Sequence, residues 1–436
     1  MADTIFALST PPGRSGIAVV RVSGPQSRDA LEALAGRLPE PRRAGLRRLR
    51  DRSGTVFDEA LVLWFPGPKS ETGEDMAEFH LHGGRAVVAA ALEALGAVPG
   101  LRPAGPGEFT RQAVENGRID LTRAEALADL IEAETEAQRR QAFLQLEGRL
   151  AELYEGWRAD LIRALGWVEA EIDFAEEGLP EDIAKSVRRR AAEIMSQIEA
   201  HLQDCRRGEL VREGMYLTLI GVPNSGKSSL LNALAQRDVV IVAEEAGTTR
   251  DVIEVRLDLG GYAVTVADTA GLREAAGGVE AEGVRRALAR AETADLVLLV
   301  LDGNAGEPAA GLAPEILDRA TLMVWNKKDL PFPVMRDGLS ISAKTGEGIP
   351  ELVDLLTRLV REKLENRTDS PPLTRARHRH ALEEAAAALG RARTAEASEL
   401  MAEDLRLALR ALGRITGRVD VEEVLDVIFK EFCIGK

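Results

Sequence analysis

Cysteine is nearly absent: Cys205 and Cys433 are the two in 436 residues, so no disulfide framework can brace the chain. No apolar run reaches the 18 or so residues that a bilayer-crossing helix needs. The opening MADTIFALSTPPGRSG lacks the basic segment and apolar stretch of a secretory signal. These shortages make a cytoplasmic protein with no membrane partner the expectation. Positive charge is also short, with Lys+Arg 56 against Asp+Glu 71 and a net of −15. Such a balance argues against a generally sticky nucleic-acid binder, because phosphate binding needs concentrated cations. Apolar residues are not short. At 45% of the chain they exclude a disordered or low-complexity protein, and the length predicts roughly three domains.

The acidic surplus lies wholly within residues 118–366, while residues 1–117 and 367–436 are each balanced. Pattern shifts at the same places. In residues 1–117, GIAVVRVSG and ALVLWFPGP predict strands ended by turn residues, and AVVAAALEALG predicts a helix, together an α+β domain. Residues 118–212 predict helix. The run from Thr122 has no proline before Pro180, and Thr122 with Glu125 reads as a capping box at its start. Residues 367–436 predict helix again, from about Arg379 to Phe432. The expected solution is one all-α domain assembled from the two helical pieces, with residues 213–366 inserted between them.

The inserted segment alternates strands (MYLTLIG, VIEVRLDL, YAVTVAD, LVLLVLD, TLMVWN) with helices, predicting an α/β domain whose strands are buried on both faces. GVPNSGKS, Gly221 to Ser228, is a phosphate-binding loop between strand and helix. Its glycines let backbone N–H groups approach phosphate, Lys227 reaches the β and γ oxygens, and Ser228 binds magnesium. AGTTRD offers Thr248 and Thr249 as a further magnesium ligand. DTAG ends a strand and places Asp268 near the metal and Gly271 near the γ-phosphate. NKKD ends another: the Asp329 carboxylate accepts two hydrogen bonds from a guanine edge, which adenine cannot supply. SAK, Ser342 to Lys344, adds a backbone N–H to the guanine oxygen. The motifs are short, but their order and strand-end placement predict a P-loop, Ras-like G domain. Leu272 stands where Ras-type enzymes have the glutamine that orients water, leaving Glu274, Glu280 and Glu282 as substitutes.

DTIFALSTPPGRSGIAVVRVSGP, TGED, HGG, GPGEFT, RIDLTRAEALADLI, AGTTRD, DTAGLRE and the terminal FCIGK span the whole chain. With these segments the sequence resembles the MnmE (TrmE) tRNA-modification GTPase family, among the TrmE-Era-EngA-like translation-factor-related GTPases. The resemblance implies a tetrahydrofolate-binding, dimerising N-terminal domain, a helical domain and an inserted G domain. It implies GTP hydrolysis coupled to modification of C5 of the tRNA wobble uridine, by carboxymethylaminomethyl or aminomethyl addition. The family works as a homodimer with the FAD-dependent MnmG in a heterotetramer or larger complex, and a 5-formyl- or methylene-type folate carries the one-carbon unit. Nucleotide contacts are implied for Asn224, Ser225, Gly226, Lys227, Ser228 and Ser229, and for Ala243, Glu244, Glu245, Ala246, Gly247, Thr248 and Thr249. They are also implied for Asp268, Thr269, Ala270 and Gly271, and for Asn326, Lys327, Lys328, Asp329, Ser342, Ala343 and Lys344. Magnesium falls to Ser228 and Thr249, and potassium to Asn224, Ala243, Glu245 and Thr248. Glu280 matches the glutamate that orients water and, with Lys227, carries catalysis. Folate falls to Arg21, Glu78, Arg118 and Lys436. Arg118 stands where a lysine is common in the family, and Cys433 lies where the family cysteine is near the folate.

Arg406, Arg410, Arg414 and Arg418 recur every four residues and form one basic helix face, open to tRNA phosphate, to an acidic partner or to pairing with local acids. RARHRH, Arg375 to His380, is a second basic cluster. His80 and His82 lack a flanking ligand cluster and read as local structure beside the folate site. The alternative function is a regulatory or ribosome-assembly GTPase switch. It calls for an RNA-binding module such as a KH domain, whose loop is not found in residues 1–117.

Overall fold

The structure, a computed structural model, describes residues 3–173, 183–237, 239–241, 254–268, 291–307, 309, 312, 314–331, 338–365, 373–419, 425, 428–429, 432 and 434–435. In chain order the first elements are β1 (Thr4–Leu8), β2 (Ser15–Ser23), α1 (Ser27–Ala35), β3 (Gly45–Arg50), β4 (Val56–Phe65), β5 (Met76–Gly83), α2 (Arg85–Gly96), β6 (Leu101–Pro103) and α3 (Glu108–Glu115). Helices follow: α4 (Leu121–Glu132), α5 (Glu136–Leu146), α6 (Arg149–Asp173), α7 (Ile183–Gln203) and α8 (Cys205–Glu213). The next segment holds β7 (Met215–Ile220), α9 (Lys227–Ala235), β8 (Glu254–Asp258), β9 (Ala263–Asp268), β10 (Leu296–Asp302), α10 (Pro314–Arg319), β11 (Leu322–Asn326), β12 (Leu339–Ser340) and α11 (Ile349–Leu364). The last are α12 (Ala376–Thr394) and α13 (Ser398–Thr416).

The chain forms two compact units. One comprises Met1–Ala128, Gln145–Ala192 and Glu384–Lys436; the other comprises Asp129–Leu144 and Glu193–Glu383. In the first, a sheet of order β3-β4-β5-β2-β1-β6 is antiparallel except for β1 and β6. Alternation along its strands turns Val20, Val22, Val62, Trp64, Phe79 and Leu81 to one face, where Leu31 and Leu34 of α1 and Leu95 of α2 cover them. Each such side chain contributes about 1.5–3 kcal/mol by leaving water. In the same unit α6 packs along α13. Leu150, Tyr154, Trp157, Leu161 and Val168 on α6, and Met401, Leu405, Leu412 and Ile415 on α13, recur at three- and four-residue spacing and are buried. Arg406 meets Glu169 at 2.9 Å, and Arg418 meets Glu155 at 2.7 Å, so the two helices run antiparallel.

The helical run from Thr122 is not continuous despite lacking proline. The Gln138 side chain accepts from the Glu134 and Thr135 amides, both at 3.0 Å, and starts α5 afresh. Gly148, at φ 94°, interrupts the chain again before α6. The start of α4 also differs from the expected capping box at Thr122. Asp120 caps it, its carboxylate accepting from the Thr122 amide at 2.9 Å and the Arg123 amide at 3.1 Å. The cause is position: Thr122 already lies inside the helix.

The second unit holds a sheet of order β12-β11-β10-β7-β9-β8, parallel except where β8 meets β9. Along β10, Leu296, Leu298 and Val300 face one core with α9 and α11, while Val297, Leu299 and Leu301 face another with Ile316 of α10. Burial on both faces therefore holds for β10, as its apolar continuity predicts. It fails for β8, the antiparallel last strand of the sheet, in which Leu257 alone is fully buried although residues 239–241 pair along its outer side. Replacing Asp120 by alanine is expected to cost about 1 kcal/mol through the lost cap, read as a lower urea midpoint. Asp120→Asn, which keeps an acceptor, should retain most of it.

Candidate functional site

The loop after β7 turns sharply before α9. Asn224 takes φ 64°, a left-handed conformation that asparagine tolerates, and Gly226 takes φ 96°. A side chain at Gly226 would lie 2.1 Å from Asn326 Nδ2, and one at Gly221 would lie 2.2 Å from the Val300 carbonyl. Glycine is required at both places because the Val300 backbone at Gly221 and the buried Asn326 side chain at Gly226 leave no room for a Cβ. The loop thereby keeps its amides near the α9 N-terminus, where an anion is favoured. Lys227 is buried, its ammonium donating to the Gly221 carbonyl at 2.9 Å and the Val222 carbonyl at 3.1 Å. Ser225 is fully buried, its amide donating to the Val222 carbonyl at 3.2 Å.

Asn326, 2% exposed at the end of β11, ties three segments together. Its Nδ2 donates to the Ser225 carbonyl at 2.8 Å, and its Oδ1 accepts from the Ala343 amide at 3.0 Å. The P-loop and the SAK loop are thus set against each other by one carboxamide. Lys327, at φ 69°, is held by Asp302 at 2.7 Å, a strand-end carboxylate that sequence reasoning missed, although Asp302 ends LVLLVLD in register with Asn326. Lys328 reaches Glu347 at 2.7 Å. The Ser342 hydroxyl donates to Asp329 at 2.7 Å. That bond foremost, with Lys344 and Lys327 nearby, holds the Asp329 carboxyl below its ordinary value.

Gly226, Ser229, Asn326, Asp329, Ala343 and Lys344 line one open cleft of about 970 Å³, within the range of ligand sites. Arg237, just after α9, lines it too and donates to the Gly346 carbonyl at 3.4 Å; its only sequence signal was a cation following the P-loop helix. Asp268 ends β9, which pairs in parallel with β7. Ala243, Glu244, Glu245, Ala246, Gly247, Thr248, Thr249, Thr269, Ala270, Gly271 and Glu280 lie outside the described residues, as do Cys433 and Lys436.

In the other unit, Arg21 and Glu78 face each other across β2 and β5 and pair at 3.0 Å. Arg21 also reaches Glu71 at 3.0 Å and lies 5.9 Å over the Phe109 ring. Neither Glu71 nor Phe109 was singled out from sequence, although each abuts or lies within a quoted motif. Arg118 donates to the Ser70 carbonyl at 3.1 Å, so both arginines grip the loop that carries TGED. The chain end comes to this domain. Gly435, at φ 97°, accepts from the Ser9 hydroxyl at 2.9 Å, and a Cβ there would strike the Leu8 carbonyl at 2.3 Å. His80 pairs with Glu78 at 3.2 Å and His82 with Asp58 at 2.7 Å. Cys205 is buried, and burial pushes its thiol up to about 11, leaving it inert. Arg375 pairs with Asp129 at 2.7 Å and Arg379 with Glu209 at 3.2 Å, so that basic cluster is largely neutralised by partners.

Two family models divide the sequence. "GTP-binding protein TrmE N-terminus" matches residues 4–118, and "MnmE helical domain" matches residues 121–433. The chain belongs to the MnmE family. The proteins named "tRNA modification GTPase MnmE" from Paramagnetospirillum magneticum and Parvibaculum lavamentivorans are each 56% identical to it, with 100% of both sequences covered. That from Rhodospirillum rubrum is 54% identical and covers 100% of this chain and 99% of its own.

Two outcomes follow for the cleft. Asn326→Ala leaves a buried carbonyl and amide unpaired, at about 1–3 kcal/mol each, so fluorescent GDP should bind roughly tenfold weaker or worse. Because the Asp329 carboxyl is held low, base recognition should persist through neutral pH and fail only as pH falls through that lowered value. Ser342→Ala removes the main cause and should move the acid limb of GDP affinity, followed by fluorescence titration, to higher pH.

Proposed function

We propose that this MnmE-family chain hydrolyses GTP to GDP and phosphate as an enzyme of tRNA modification, acting at C5 of the wobble uridine. The observation that carries the reading is the cleft in which Asn326 joins the P-loop to the base-recognising loop, beside an ionised Asp329. Full-length similarity to tRNA modification GTPases supplies the process.

Within the cleft, the Asp329 carboxylate selects guanine, because the wrong base would leave it unpaired. Lys227 exchanges its loop carbonyls for β and γ oxygens and neutralises charge that builds in the transition state. Ser228 and Thr249 would hold magnesium, with Asp268 behind it; their hydroxyl oxygens suit a hard cation. Asn224, the carbonyls of Ala243 and Glu245, and Thr248 would hold potassium with oxygen ligands alone. The left-handed turn at Asn224 keeps that residue at the loop surface, and the ion would supply the positive charge that an arginine finger supplies elsewhere. Glu280 orients the attacking water, the task that Leu272 cannot perform.

The N-terminal residues fit a tetrahydrofolate derivative by their chemistry: the Glu78 carboxylate can accept from pterin donors, and Arg21, Arg118 and Lys436 can hold its glutamyl tail. The folate supplies a one-carbon unit, and Cys433 would lie beside it. Homodimerisation, the FAD-dependent MnmG and tRNA complete the assembly in the cytoplasm. No helix among the described residues is long and apolar enough to cross a membrane.

Mass analysis of tRNA nucleosides from cells lacking this protein is the decisive test. The wobble uridine should be unmodified at C5, and an intact modification rejects the reading. Hydrolysis should run faster in potassium than in sodium at matched ionic strength, while equal rates would remove the potassium site. Glu280→Ala should keep GDP affinity and lose most turnover; unchanged turnover would make Glu280 an ordinary surface glutamate.

A further inference from the structure

The arginine stripe of α13 resolves into two parts with different fates. Arg406 is tied to Glu169 at 2.9 Å and Glu403 at 3.3 Å, and Arg418, which the left-handed Gly417 places beyond the end of α13 rather than on its face, to Glu155 at 2.7 Å, so both are spent within the fold. The middle is different. Leu407, Arg410 and Arg414 lie on one face of α13 by their three- and four-residue spacing, and Glu384, Ala387, Ala388 and Arg391 do so on α12. These two faces line a groove of about 400 Å³. Among the described residues, Arg410 has no carboxylate within 4.0 Å. Arg391 is bound to Asp404 through its Nε at 2.8 Å, which leaves its two terminal nitrogens to other acceptors. Arg414 is oriented by Glu384.

We infer that this α12–α13 groove is a binding site for the phosphodiester backbone of RNA. The inference rests on the proposed role in tRNA modification and adds the surface through which the RNA is held. Three guanidinium groups around one groove provide forked donors matched to phosphate oxygens. Two carboxylates, Glu384 and Asp404, each neutralise one of them, so a net positive charge stays at Arg410. The alanines at 387 and 388 make a shallow floor that lets a bulky phosphate approach between the arginines. A protein ligand would seek a large apolar or aromatic anchor pocket. The groove offers only Leu407, 39% exposed; the more exposed Leu400 lies outside it.

The test is fluorescence-anisotropy titration of labelled bacterial tRNA against the full-length protein across a salt series. Arg410→Glu and Arg391→Glu are compared with Arg28→Glu, the same charge change at an exposed position of α1. Arg410→Glu is expected to weaken tRNA binding about tenfold and lower the salt slope by about one, the signature of a lost phosphate contact. Arg391→Glu should act in the same direction, and Arg28→Glu should match the unmodified protein. Basal GTP turnover should be unchanged in all three, since none is in the nucleotide cleft. The site is overturned by equal tRNA affinity and salt slope in all four proteins, or by no salt-dependent tRNA binding in the unmodified one. It is also overturned if Arg410→Glu spares tRNA but abolishes binding of an acidic protein partner. Absent GTP turnover in the unmodified protein would instead count against the proposed enzymatic function, which the titration does not measure.

Discussion

The nucleotide cleft depends on a single buried carboxamide. Asn326 spends both ends of its side chain on backbone, one on Ser225 and one on Ala343. Neither a carboxylate, which only accepts, nor an ammonium, which only donates, could do both. The distance between β7 and β11 is set by β10, which lies between them in the sheet. With that spacing fixed, the asparagine at the end of β11 reaches the loop that leaves β7. Gly226 must be glycine for the same reason, since the carboxamide occupies the space of its missing side chain. A P-loop motif is therefore only half of the cradle; the other half arrives a hundred residues later.

Much of this was legible in the sequence because it is local. The turn at Asn224–Gly226 follows from residue types at adjacent positions, and the strands of the second sheet follow from short apolar runs. What lay out of view was pairing across long separations. The Lys327–Asp302 contact requires the parallel register of β10 and β11, which no single run encodes. β8 read as a strand buried on both faces because apolar content shows what a strand can bury and not whether a layer packs on each face. The capping box at Thr122 was a misreading of the same kind. Asp120 and Thr122 both have capping side chains, and only the backbone path decides which one stands outside the first turn.

The N-terminal site shows how charge is satisfied before a ligand is considered. Arg21 has two carboxylates and an aromatic ring around it, and Glu78 has Arg21 and His80. A polar ligand entering such a network trades existing bonds for new ones, so its affinity comes from the difference between two satisfied states. Preorganisation is the gain: Arg21 and Arg118 fix the TGED loop from two sides, and the Gly435–Ser9 contact brings the chain end to the same domain. Ser9 and Gly435, far apart in sequence, thus belong to one structural unit.

The shortage of positive charge takes on a different meaning once pairing is known. A net of −15 describes the field at long range, where every side chain counts equally. At contact distance what counts is which cations are left over after the fold has used the others. Arg406 on α13 and Arg418 just past its end are consumed by acids of α6, and Arg375 and Arg379 are consumed by Asp129 and Glu209. Pairing removes most of the basic residues that the sequence displays most openly. It leaves Arg410 uncompensated between two arginines whose own carboxylates hold them in place. An acidic protein can therefore present a small cationic site without being a general polyanion binder, since the distant repulsion penalises loose encounters while the groove rewards a phosphate that reaches it.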